Sequence, residues 1–357
     1  MHAVEDDPGP GRADGGEPGS EPESTPFAGL TPDRLLDALD SIGLRGDGRL
    51  LALNSYENRV YQVYLEDPLP ADPAGAAVAV VKFYRAGRWT DAAIEEEHAF
   101  VAMLAGHEIP AVAPLQIGGR TLHRHGGFRF AVYPRRGGRA PELEDPAILA
   151  WLGRFVGRIH AAGAGALFAS RPLLDIRSFG EEPREELLAG GFIPADLHAA
   201  YTSVVDQALQ GVRAAFERAA SVRSIRLHGD FHAGNILWTD RGPHIVDFDD
   251  ARNGPAVQDL WMLTSGDRAA ATAQIESLLE GYARFCDFDP VELQLIEPLR
   301  TLRIIHYAAW IARRWSDPAF PAAFPFFNTQ RYWQDHVLAL REQIAMMQES
   351  PIVLIAR

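Results

Sequence analysis

The stretch His228-Gly229-Asp230-Phe231-His232-Ala233-Gly234-Asn235-Ile236-Leu237, followed by His244-Ile245-Val246-Asp247-Phe248-Asp249-Asp250, constrains this chain more than any other feature. Two carboxylates and an amide stand at fixed offsets: Asp230, Asn235 five positions on, and Asp247 seventeen on. The apolar pairs Ile236-Leu237 and Ile245-Val246 flank a polar gap, which predicts a short hairpin presenting polar side chains to one cleft. Phosphoryl transfer needs such a set. One carboxylate accepts the proton of an incoming hydroxyl, while an amide and a second carboxylate hold a hard cation such as Mg2+ through oxygen. Taken singly these residues are bland: Asp230 could cap a helix and Asp247 could sit in a satisfied turn. His228 and His232 are four apart, as in a zinc-binding helix, but Gly229 and Gly234 argue against a helix there.

The residues upstream have an order of their own. Of the 34 basic residues one, Lys82, is lysine and the rest are arginine. Lys82 lies inside the apolar run Val78–Tyr84, where a compact ammonium fits a crowded position better than a planar guanidinium. Leu50–Leu53 and Val60–Leu65 flank the turn Asn54–Arg59 and predict a hairpin, with Val78–Tyr84 as a third strand and Phe128–Tyr133 as a later one. Thr90–Leu104 has helical spacing, with Ile94, Phe100, Val101 and Leu104 on one side. On that helix Glu97 is the candidate partner for Lys82, and Glu95 and Glu96 are read as a solvated face.

Beyond Pro134 the pattern becomes helical, over Pro146–Ala162, Ala195–Ala220, Ala269–Phe285, Pro290–Arg314 and Arg331–Gln348. The fold class expected is therefore α+β: a small antiparallel-sheet lobe over 26–134, then a mostly helical lobe over 135–357, with Gly137-Gly138-Arg139 as the hinge. Asp317–Phe327 reads as a packed irregular loop. Residues 1–25, rich in Gly, Pro and acids, cannot bury enough apolar surface to offset chain entropy and are read as a disordered tail. A chain of 357 residues with 47% hydrophobic content has enough apolar material for two such cores.

A net charge of −14 disfavours nucleic acid as a partner. No apolar run is long enough to span a membrane, and no leader is visible. The single cysteine, Cys286, cannot form an internal disulfide, so a cytoplasmic setting is expected. A monomer is expected.

The stretch around Asp230 resembles the catalytic and metal-binding loops of the aminoglycoside phosphotransferase/choline kinase branch of the protein-kinase-like fold. The resemblance implies ATP and Mg2+ as cofactors, Asp230 as catalytic base, and Asn235 and Asp247 as Mg2+ ligands, with Asp247 also part of the catalytic set. It implies that Lys82 contacts ATP phosphates and that Ser55 is an ATP contact, since Asn54–Arg59 lacks the glycines of a G-x-G-x-x-G cradle. By the same analogy Ala131–Pro134 would meet adenine through its backbone. H-G-D stands where protein kinases carry H-R-D, D-F-D replaces D-F-G, and no A-P-E follows, so phosphorylation of an activation loop is not expected. Asp259, in the first turn of a later helix, could accept amides of the catalytic loop or simply complement that helix's dipole.

The segments L-N-S-Y-E-N-R-V-Y-Q, V-V-K-F-Y-R, D-D-A-R-N-G-P-A-V-Q-D-L-W-M-L and R-R-W-S-D-P-A-F-P extend the similarity over about residues 30–345, to the bacterial stress response kinase A family. This resemblance implies a cytoplasmic serine/threonine protein kinase acting on a protein substrate, able to autophosphorylate. The same core chemistry serves a small-molecule kinase acting on an aminoglycoside, choline-like or amino-alcohol hydroxyl. A deep acidic pocket around Asp249 and Asp250 would favour such a cation, and an open groove would favour a peptide. A non-catalytic nucleotide-binding scaffold is a third reading, weakened because Lys82, Asp230, Asn235 and Asp247 are all present.

Overall fold

The computed structural model describes residues 26–69 and 75–354, so the tail read as disordered over 1–25 lies outside the described residues. The chain enters through helix α1 (Pro32–Asp40), then β1 (Gly46–Leu53), β2 (Arg59–Leu65) and β3 (Val78–Phe83). Helix α2 (Asp91–Gly106) follows, then β4 (His123–His125) and β5 (Phe128–Pro134). The strands form an antiparallel sheet in the order β1-β2-β3-β5-β4. The period-2 alternation of β3 sends Ala79, Val81 and Phe83 into a core with Val63, Phe130, Val132 and the α1 residues Leu35 and Leu39. Lys82, in register with Ala131, therefore faces the opposite side of the sheet.

Helix α1 departs from the strand-and-one-helix expectation for this region. Thr31 caps it, accepting a hydrogen bond from Arg34 N at 3.3 Å, and Pro32 opens its first turn. Thr90 caps α2 in the same way, and the predicted face of Ile94, Phe100, Val101 and Leu104 is buried.

After β5 the chain is mostly helical: α3 (Pro146–Gly163), α4 (Glu182–Ala189) and α5 (Ala195–Arg218), then β6 (Ile225–Leu227), β7 (Ile236–Thr239), β8 (Gly242–Ile245) and β9 (Arg252–Gly254). Helices α6 (Val257–Trp261), α7 (Arg268–Tyr282), α8 (Ile296–Arg313), α9 (Ala319–Ala323) and α10 (Gln330–Gln348) complete it. The segment expected to be one helix from Pro290 starts as a 3-10 turn over Pro290–Leu295, and the irregular loop contains α9. Gly138 tolerates no side chain at the expected hinge: a Cβ there would lie 2.5 Å from the carbonyl carbon of Leu237. Among the described residues no helix is long and apolar enough to cross a membrane.

Candidate active site

Strands β6 and β9 pair antiparallel and launch the loop that carries Asp230. Phe231 is fully buried and Phe248 nearly so, and the His228 ring packs edge-on to Phe231 and 4.4 Å from Phe248. His228 Nε2 donates to Val246 O at 2.9 Å, while its Nδ1 accepts from Asp230 N. Gly229 has φ +84°, and a Cβ there would stand 2.3 Å from Asp250 O, so this position requires glycine. Asp259 on α6 accepts from the backbone N–H groups of His228 and Gly229, both at 2.9 Å, and its Oδ2 lies 3.0 Å from His160 Nε2. The amide-accepting arrangement considered for Asp259 is the one observed.

The predicted hairpin is β7–β8, with Ile236 opposite Ile245. Asn235 precedes it and donates through Nδ2 to Asp230 O at 2.9 Å, which commits the amide nitrogen to the loop. Asp247 follows it in the left-handed region (φ 60°, ψ 61°), a conformation uncommon for a non-glycine residue and concentrated at functional sites. Its side chain is half exposed, and Oδ1 accepts from Lys82 Nζ at 2.9 Å. Both imidazoles of the His228/His232 pair are engaged within the loop, His232 Nδ1 accepting from Gly234 N and Nε2 facing Asp230 Oδ2 at 3.3 Å. They do not form a zinc pair.

Lys82 is buried, and burial alone would lower its pKa. Asp247 and Asp249, at 2.9 and 3.2 Å, outweigh that and hold the ammonium well above its usual value. Glu97 is buried too, but it forms no ion pair with Lys82, and its Oε2 has no hydrogen-bond partner. The expected Lys82–Glu97 pair is thus replaced here by pairs to Asp247 and Asp249. Burial raises the Glu97 carboxyl to about 7 against the attraction of Lys82 and Arg171. Glu95 is exposed as expected, but Glu96 is not simply a solvated face: its carboxylate accepts from Ala169 N and Ser170 N at 2.6 and 2.8 Å.

Asp249 is the centre of a second network. Burial pushes its carboxyl up, but Arg88 and Lys82 together hold it down to about 2. Arg88 pairs with both Asp249 and Asp250, Arg252 pairs with Asp250 at 2.6 Å, and Asn58 Nδ2 donates to Asp249 at 3.1 Å. The loop 54–59 is thereby tied to the helical lobe. Glu57, in that loop, accepts from Trp310 Nε1 at 2.7 Å and pairs with Arg314 at 2.8 Å and Arg85 at 3.1 Å. Arg85 in turn pairs with Asp317 at 2.7 Å. Ser55 Oγ accepts from Asn58 N at 3.4 Å and so closes the turn of this loop.

Sequence reasoning missed Arg88 and Arg303, and weighed His232 only as half of a zinc pair. Arg303 Nη1 on α8 stands 2.8 Å from Asp230 Oδ1, yet off the direction of a hydrogen bond, leaving that oxygen without a hydrogen-bond partner. Burial would raise the Asp230 carboxyl, but His232 and Arg303 bring it below the usual value. Arg303 carried no local signal because helical arginines are common here. His232 did, since it lies within the loop itself.

A profile of the phosphotransferase enzyme family matches residues 49–296. The chain belongs to that family, whose fold and site define a kinase. Stress response kinase A of Escherichia coli (strain K12) is 45% identical over 328 residues, which cover 92% of this chain and 97% of that protein. A relative from Salmonella typhimurium, serine/threonine protein kinase RdoA, is 42% identical with the same coverage. Within the family the chain therefore falls in the stress response kinase A group. Among solved structures, an amicoumacin kinase bound to AMP-PNP and Ca2+ superposes with a TM-score of 0.66 at 17% identity, covering 90% of this chain and 95% of that one. A microcompartment-associated aminopropanol kinase gives 0.60 at 17% identity, covering 84% and 91%. Both share the two-lobed α+β fold.

Proposed function

We propose that this chain is an ATP- and Mg2+-dependent serine/threonine protein kinase of the cytoplasm that acts in a stress response as a monomer and autophosphorylates. The names of its relatives support the reaction class. The observation that carries the choice of a protein acceptor is the state of Asp249 and Asp250. Both are neutralised by Arg88, Lys82 and Arg252, so they offer no acidic pocket for an amino sugar or an amino alcohol.

The donor set suits Mg2+. It needs few protein oxygens besides those of phosphate, and Asn235 Oδ1 with the half-exposed Asp247 carboxylate supplies them. Bound there, Mg2+ would neutralise phosphate charge. Lys82 holds the phosphates as a point charge when it turns from Asp247, and Glu97, with an unsatisfied oxygen, is its alternative partner. The backbone amides and Ser55 hydroxyl of loop 54–59 cover the phosphates, and Ala131–Pro134 offers backbone groups to adenine. The Asp230 carboxylate accepts the proton of the acceptor hydroxyl as the hydroxyl oxygen bonds to the γ-phosphorus and ADP leaves. Asp259 holds the loop that aims Asp230. Rate enhancement comes from positioning and charge neutralisation.

The test is transfer from γ-labelled ATP with Mg2+, comparing wild type with Asp230→Ala on protein acceptors, aminoglycosides and amino alcohols. Label on serine and threonine, reduced roughly 10²–10⁴-fold in the variant, is expected. Label on small molecules alone would overturn the protein-kinase reading.

A further inference from the structure

The acceptor side of the site holds a charged group that the proposed reaction does not use. Arg303 reaches from α8 to Asp230, with its own side chain 40% exposed and that of Asp230 23%. Asp230 is its one ion-pair partner among the described residues. The guanidinium holds the carboxylate by charge, not by a directed hydrogen bond: Oδ1 is buried, makes no hydrogen bond and lies 2.8 Å from Arg303, so an incoming hydroxyl must displace the guanidinium to reach it. One turn further along the same face, Tyr307 is 42% exposed and stacks on Trp310. The surface beside the base is thus accessible and cationic. Asp250, the acid whose charge reaches Asp230, is already paired with Arg88 and Arg252.

We infer that Arg303 selects acceptors that carry an anionic group next to the reacting hydroxyl. This rests on the protein-kinase reading, and for that acceptor class it means serine or threonine flanked by aspartate or glutamate. A hydroxyl that approaches Asp230 weakens the pair with Arg303. An acidic neighbour on the acceptor restores a partner to the guanidinium and leaves Asp230 Oδ1 to the hydroxyl. A basic neighbour, or a polycationic amino sugar, meets Arg303 as a like charge and leaves it on the base. Charge complementarity of this kind sets specificity more than raw affinity.

The test compares kcat/KM of the full chain on three serine peptides alike except for flanking Glu, Ala or Arg, with an aminoglycoside and an amino alcohol alongside. Wild type should favour the Glu peptide over the Arg peptide roughly tenfold, the size expected of a partly exposed charge-assisted contact, and salt should erode the preference. Arg303→Gln should bring the ratio close to one, Arg303→Glu should invert it, and Arg303→Lys should retain it. Melting temperature and ATP binding of each variant report folding apart from selectivity. If Arg303→Gln does not fold, the wild-type ratio with Arg303→Lys carries the test. A wild type indifferent to flanking charge, or a folded Arg303→Gln with an unchanged ratio, overturns the inference while leaving the protein-kinase reading intact. Transfer to small molecules alone removes that reading and the inference with it.

Discussion

Replacing Asp259 by Asn keeps the side-chain shape and removes one acceptor from a fully enclosed site. Asp259 Oδ1 accepts from Gly229 N, and Oδ2 accepts from His228 N and faces His160 Nε2. An asparagine can place its one oxygen where Oδ2 was, keeping two contacts, but its NH2 then faces the Gly229 N–H. The opposite orientation loses two. At least one buried backbone donor is therefore orphaned, at about 1–3 kcal/mol, and the contacts that survive lose their charge assistance. We expect a total near 3 kcal/mol, which in a chain of this size lowers the melting temperature by about 4 °C. Asp259 does not touch Asp230, so its loss acts through the position of the loop. Thermal unfolding by circular dichroism should show the shift, and steady-state kinetics should show a lower kcat with little change in the KM for ATP. A variant melting within about 1 °C of wild type with full kcat would refute the reasoning.

Two further substitutions probe the buried charges. Because the folded value of Glu97, about 7, lies above its unfolded value near 4.5, the folded state binds more protons between them. Stability should therefore fall as pH rises from about 4.5 to about 7, by about 3 kcal/mol from this group. Glu97→Gln should flatten that part of the slope and be the more stable protein at pH 8. Urea midpoints at pH 5 and 8 check this, and parallel pH profiles for the two proteins would sink it. Glu57→Gln should lower the urea midpoint by an amount equivalent to about 3 kcal/mol, since it leaves the partly buried Arg314 without its carboxylate and Arg85 to Asp317. An unchanged midpoint would mean that the loop 54–59 is not anchored through Glu57.

The candidate site was legible where its residues are close in sequence. Asp230, Asn235 and Asp247 are brought together by one tight loop and one hairpin, and a local pattern of apolar pairs and glycines is enough to specify both. The strand that carries Lys82 followed from its apolar run, and the buried side of α2 from helical periodicity. The first helix was missed because the region was read for strands, although its Thr-Pro start was a readable signal.

The chain alone therefore determined the antiparallel sheet, the helical half and the loop and hairpin that bring Asp230, Asn235 and Asp247 together, because each rests on short-range periodicity and turn chemistry. It could not determine which charges meet. Arg88 finds Asp249 across 161 positions, Lys82 finds Asp247 across 165, and Glu57 finds Trp310 across 253. In sequence an arginine on a helix and a glutamate in a turn look like solvated surface, and Glu97 looks like the natural partner of Lys82. Docking the two lobes changes that, because burial removes water from every charge at once and the stable arrangement is the one that pairs the most of them. Tertiary packing thus gave Lys82 to Asp247 and Asp249, left Glu97 buried with an unsatisfied oxygen, and set Arg303 against Asp230.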